Sequence, residues 1–168
     1  DKELMSCAFF ADKIPSYWEE IKNGSRKLAR LSTIRRTLVN DCKAYGVKEI
    51  YCHNAIFDNR SCNLTQRYIT GSKYRYFFPW QTRICDTLKM ARDVILKMPT
   101  YKRFCVENGY VTRNGQPRAT AEILYRFIKK DNDFVESHTA LEDVLIEKEI
   151  LAYCFKQHKK MRRLLWEN

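Results

Sequence analysis

Glu49-Ile50-Tyr51-Cys52-His53-Asn54-Ala55-Ile56-Phe57-Asp58 is the stretch on which the fold turns. Its first four residues form a short run rich in β-formers, predicting a strand. Its second half opens a helix over 55–68, with Asn54 at the junction and Phe57 expected to turn toward the core. Upstream, Leu28, Leu31, Ile34, Leu38, Val39 and Cys42 recur at helical spacing, predicting a helix over 28–44 that Tyr45-Gly46 closes. A helix, a short strand and a second helix in succession point to an α/β chain rather than a bundle.

Further along, residues 74–78 look extended until Pro79 interrupts them, and 83–85 reads as another short strand. Asp86 is placed to cap a helix over 87–97, with Leu88 and Ala91 facing the core. Residues 101–108 read as a short helix ending at Gly109, and Asn114-Gly115 as a turn followed by Pro117. Helices are expected over 119–130 and 140–158, and residues 4–21 read as helical or irregular. The visible strands are too few for a complete sheet, so more sheet is expected ahead of Asp1.

The chain of 168 residues is read as one domain, 45% hydrophobic and 13% aromatic with 5 Gly and 4 Pro, which excludes disordered, collagenous and low-complexity classes. It holds no apolar run long enough to span a bilayer and no basic-then-apolar leader at its start. The seven cysteines are odd in number and form no C-x-x-C pair, which removes zinc-ribbon and thioredoxin readings. Cys42, Cys85 and Cys154 sit in apolar surroundings as small core residues, and free thiols suggest a reducing cytoplasm.

The formal charge of +11 is unevenly spread. Residues 60–103 carry ten Lys and Arg against Asp86 and Asp93 alone, interleaved with Tyr68, Tyr74, Tyr76, Phe77, Phe78, Trp80 and Tyr101. Cations for phosphates beside rings that stack on bases is the pattern of single-strand binding. A solvated face beside buried aromatics is the plainer alternative. The basic stretch 156–163 reads as a frayed, solvated helix end, or as an extension of the same track.

Three short segments carry candidate chemistry. In Glu136-Ser137-His138-Thr139-Ala140-Leu141-Glu142-Asp143, Thr139 and Glu142 fit a capping box, leaving His138 just outside a helix and Asp143 just past its first turn. In His53-Asn54-Ala55-Ile56-Phe57-Asp58, Asn54 and Asp58 share one helix face. In Cys85-Asp86-Thr87-Leu88-Lys89-Met90-Ala91-Arg92, Asp86 reads as a structural cap. Singly, each also fits a bland reading: a loop histidine, a solvated acid, an Asn cap.

In this order the three segments resemble the motifs of the DnaQ-like (DEDDh) 3′–5′ exonucleases of the RNase H-like superfamily, phage-encoded members above all. Asn54-Ala55-Ile56-Phe57-Asp58 is similar to the family's Asn-x-x-Phe-Asp. Asp86-Thr87-Leu88-Lys89-Met90-Ala91-Arg92 is similar to its Asp-Thr-Leu-x-x-Ala-Arg, and His138 with Asp143 to its His-x4-Asp. The resemblance spans about residues 45–155. It implies a central mixed sheet flanked by helices and hydrolysis of phosphodiester bonds at 3′ ends. It also implies two Mg²⁺ or Mn²⁺ ions held in part by Asp58 and Asp143, and His138 as the general base toward water. Asn54, Phe57 and Arg60 become the expected substrate contacts, and a nucleic acid, single-stranded at its 3′ end, the expected partner. A bacterial or phage-infected cytoplasm follows as the expected location, with no membrane.

The family's first motif, Asp-x-Glu on an apolar strand, has no match here beyond Asp1-Lys2-Glu3, which has the spacing without the strand. The N-terminal strands are therefore expected to be missing from these 168 residues, and this chain alone to hold metal weakly. That leaves two further readings: a nuclease fold that binds nucleic acid without cutting it, and an interaction domain whose basic surface meets an acidic protein.

Overall fold

The computed structural model describes residues 11–73, 75–137 and 139–166. Asp1, Glu3, Tyr74 and His138 lie outside them. A 3-10 turn at Ala11–Lys13 leads into α1 (Ile14–Lys22), where Pro15 occupies the first turn and its missing N–H costs nothing. Then follow α2 (Leu31–Ala44), β1 (Glu49–Cys52), α3 (Ala55–Thr70), β2 (Arg83–Asp86), α4 (Thr87–Val94), α5 (Pro99–Glu107), α6 (Ala121–Lys129) and α7 (Ala140–Lys156). The chain is a mixed α/β structure. Among the described residues no helix is long and apolar enough to cross a membrane.

β1 and β2 pair in parallel, Glu49 opposite Arg83 and Cys52 opposite Asp86. Parallel neighbours require a crossover, which α3 and the loop after it supply. Their C-terminal ends therefore lie side by side, and His53 and Asp86 leave the sheet together. On the other side of β2, Cys85 forms an antiparallel bridge with Leu164, joined by the Asp86 N–H to the Arg163 carbonyl and the Leu165 N–H to the Ile84 carbonyl. The basic stretch expected to fray is thus only helical to Lys156. It turns at His158, in left-handed backbone (φ 50°), and runs back along the sheet, where the Arg162 guanidinium holds Asp93 at 2.9 Å. Backbone hydrogen bonds to a sheet edge outweigh the solvation of a few lysines.

The core lies between α4, α5, α6 and α7, in Met90, Val94, Ile95, Tyr101, Cys105, Leu124, Ile146, Ile150 and Cys154. Cys42 and Cys85 are buried as expected, and the six described cysteines are all free. Ala91 is fully buried, while Leu88 is half-buried. The expected helix over 87–97 stops at Val94 because its last turn widens, the Leu96 N–H reaching five residues back to the Ala91 carbonyl, before Pro99 starts α5. Among the described residues of 74–78 there is no strand. Asn63 takes the Phe77 N–H at 2.8 Å instead, so the segment is pinned to α3 rather than to the sheet.

Candidate active site

The site begins where β1 ends. Asn54 adopts left-handed backbone (φ 64°), which Asn tolerates better than most residues, and this turns the chain from strand to helix. Its side chain makes no capping bond to α3. The Asp86 carboxylate holds the junction instead, accepting from the Asn54 N–H at 3.1 Å and the Leu88 N–H at 2.8 Å. Asp86 is thus the helix cap its position predicted, and it also ties the ends of both strands together.

His53 is locked beside it. Its Nε2 lies 3.0 Å from the Ala119 carbonyl and its Nδ1 3.0 Å from the Thr87 hydroxyl. A carbonyl only accepts, so Nε2 carries the proton, and burial lowers the ring's pKa and keeps it neutral. Nδ1 then accepts from Thr87, so this imidazole is a strut between β1, α4 and the loop before α6.

Around these struts lie acids near enough for their charges to act on one another. Burial raises the pKa of Asp58, and the Asp86 charge adds to the rise. Glu147 is pushed up to about 7, first by burial and then by Asp58, Asp143 and Asp86, against a lowering from the His53 backbone N–H. Burial and the nearby acids raise Cys52 to about 12, which makes it an inert thiol. One carboxylate oxygen of Asp143, Oδ1, is buried with no hydrogen-bond partner among the described residues. Acids from α3 (Asp58), the end of β2 (Asp86) and α7 (Asp143 and Glu147) thus lie toward the C-terminal ends of the parallel strands, where open α/β sheets place their ligands.

Sequence spacing brings Asp58 and Asp143 to this place. It missed Glu147, although the residue is four positions after Asp143 and so on the same face of α7. Phe57 corrects an expectation. It is 66% exposed, because Ala55, Asn63 and Gln66 set the buried face and Phe57 lies about 200° round the helix from Ala55. Asn54, Phe57 and Arg60 instead line one exposed edge of α3. The expected capping box also forms differently. The Thr139 side chain makes no capping bond, and the Glu142 carboxylate accepts from the Ser137 N–H. His138 lies outside the described residues.

An oxygen-only donor set with mutual repulsion and an orphaned Oδ1 suits a hard divalent cation. Among the described residues, however, no three His, Cys, Asp or Glu side chains converge as a ligand set. Compared with known proteins, the chain matches no family model, no curated protein and no solved structure.

Proposed function

We propose that this chain is the catalytic region of a metal-dependent 3′–5′ exonuclease with an RNase H-like fold. The observation that supports the reading is the pair Asp58 and Glu147 near the ends of β1 and β2, each raised in pKa by burial and then by neighbouring acid charge, with Asp143, whose Oδ1 is orphaned, close enough for its charge to act on Glu147. Such unpaired acids are costly to keep for stability alone and mark candidate functional sites. Asp58 and Asp143 would hold Mg²⁺ or Mn²⁺, with Glu147 beside them. When bound, such ions stabilise the attacking and leaving oxygens of a displacement at phosphorus.

The remaining roles belong to this chain's own groups. Asn54, Phe57 and Arg60, on one exposed edge of α3, would contact the terminal nucleotide through an amide, a ring and a cation. His138, three residues before the Leu141 turn of α7, would take the proton from the attacking water. Asp86 and His53 hold the geometry rather than react.

The test is a 5′-labelled single strand incubated with full-length protein and Mn²⁺. A ladder of stepwise shortening from the 3′ end is expected, absent in EDTA and lost in Asp143→Ala and His138→Ala. Shortening that survives EDTA or both substitutions refutes the reading. The lack of a converged three-residue ligand set among the described residues favours a second reading, a nuclease fold that binds without cutting. In that case the strand binds equally with and without metal and is never shortened.

A further inference from the structure

Away from the carboxylates, two adjoining clefts open on the face formed by α2, α3 and the loop before β2. One, of about 520 Å³, is lined in part by Arg35, Asn63, Arg75, Tyr76, Trp80 and Trp166. The other, of about 500 Å³, shares Arg35, Pro79, Trp80 and Thr82 with the first and adds Lys43 and Lys48. Among the described residues neither lining includes an Asp or Glu. Trp80 stands where they meet with 92% of its surface exposed, and Trp166 with 75%.

This is not a loose loop with a stray ring. Phe77 is buried, and its N–H is fixed on Asn63. The Arg35 Nε donates to the Tyr76 carbonyl at 2.9 Å, the Arg67 guanidinium lies 5.1 Å from the Tyr76 ring, and the Thr82 N–H and hydroxyl both return to the Pro79 carbonyl. The loop is pinned on both sides of Trp80 and holds the indole out in water. Exposing so large an apolar face has a solvation cost that a ligand would remove.

We propose that these clefts form a single-strand binding site, in which an unpaired base stacks on Trp80 and the flanking phosphates lie on Arg35, Arg75, Lys43 and Lys48. The chemistry fits one occupant. A flat π-face meets an indole, and a polyanion meets a surface of cations without carboxylates. The site deepens the nuclease reading by giving the strand a hold remote from the acids, and it rests on that reading only for the polymer being nucleic acid. Binding without metal and cleavage with metal are separate readouts, so either can fail alone.

The experiment measures anisotropy of a labelled oligothymidylate against full-length protein in EDTA. Trp80→Ala is expected to raise Kd about five- to a hundredfold, the effect of losing one base–aromatic stack, while Trp80→Phe retains most of the affinity. Arg75→Gln should flatten the salt dependence by about 0.7 in log–log slope, the value of one single-strand phosphate contact. Because Trp80 packs little, these proteins should fold normally, and Trp166→Ala provides a second, independent ring deletion. Blunt duplex and heparin, which offer no unstacked base, should bind the Trp80 variants as well as the unaltered protein. The proposal is overturned if both ring deletions leave Kd within twofold. It is overturned equally if heparin or an acidic protein loses as much affinity as the oligonucleotide.

Discussion

Replacing Glu147 by Gln should make the protein more stable above neutral pH, and the size of the gain follows from its surroundings. The unfolded chain ionises this carboxyl near 4.5, whereas burial and the charges of Asp58, Asp143 and Asp86 hold it to about 7 in the fold. Below pH 4.5 both states are protonated and the residue is neutral in its effect. As pH rises toward 7 the unfolded state sheds the proton first, so stability falls through that window and then levels. At about 1.36 kcal/mol per pKa unit the full difference approaches about 3 kcal/mol. The carboxylate is only part-buried, and screening by water reduces this to about 1–2 kcal/mol. Gln keeps an oxygen for the His53 N–H and carries no charge. Thermal unfolding without divalent ions should therefore show Glu147→Gln equal to the unaltered protein at pH 4 and about 2–8 °C more stable at pH 8. A difference that is independent of pH, or a variant less stable at pH 8, would refute the argument that the acids repel one another.

Asp86→Ala removes the cap of α4 and the partner of the Asn54 N–H, and should cost about 2–4 kcal/mol in a denaturant titration, with Asp86→Asn losing less than half of that. Asn54→Gly relieves left-handed backbone, so stability should hold or rise by up to about 1 kcal/mol while strand shortening slows, separating the turn from the amide. Asp93 is held at about 2 chiefly by the Arg162 guanidinium, so their pairing contributes above pH 4 and is lost as pH falls toward 2. Arg162→Ala should flatten that acid limb, at most about 1 kcal/mol for so exposed a pair, and quicken limited proteolysis beyond residue 160.

What the sequence made legible was local. The strand–turn–helix at 49–58 and the cap at Asp86 are decided by neighbours within a few positions, and both form where their residues predict. Phe57 shows where such reasoning stops. An apolar residue was assigned to the core, but α3 buries Asn63 and Gln66 because Asn63 anchors the loop that carries Trp80. Hydropathy does not reveal a polar side chain whose buried partner is a distant backbone N–H. The C-terminal stretch failed for a related reason. Lysines and arginines promise solvent, yet the backbone of 162–165 bonds to β2 and Asp93 beside the Arg162 guanidinium, and composition does not describe backbone bonds. Glu147 is not marked out by its spacing from Asp143, because its importance depends on acids contributed by α3 and the end of β2.

The two charged regions impose different demands on one ligand. A chain of +11 attracts a polyanion at long range, and the clefts around Trp80, with no acid among their described lining residues, are where that attraction meets little opposition. At the ends of β1 and β2 the sign reverses. Burial and neighbouring acid charge already raise the proton affinities of Asp58 and Glu147, and a phosphate brought among these acids would add to the repulsion. On the proposed reading, attraction alone would therefore lead a strand to the clefts and keep its end off the acids. Only a cation bound among those acids reverses the local field. On these electrostatics, metal would decide when a tethered strand reaches the acids more than whether it binds, and a basic hold apart from the acids is what makes that separation workable.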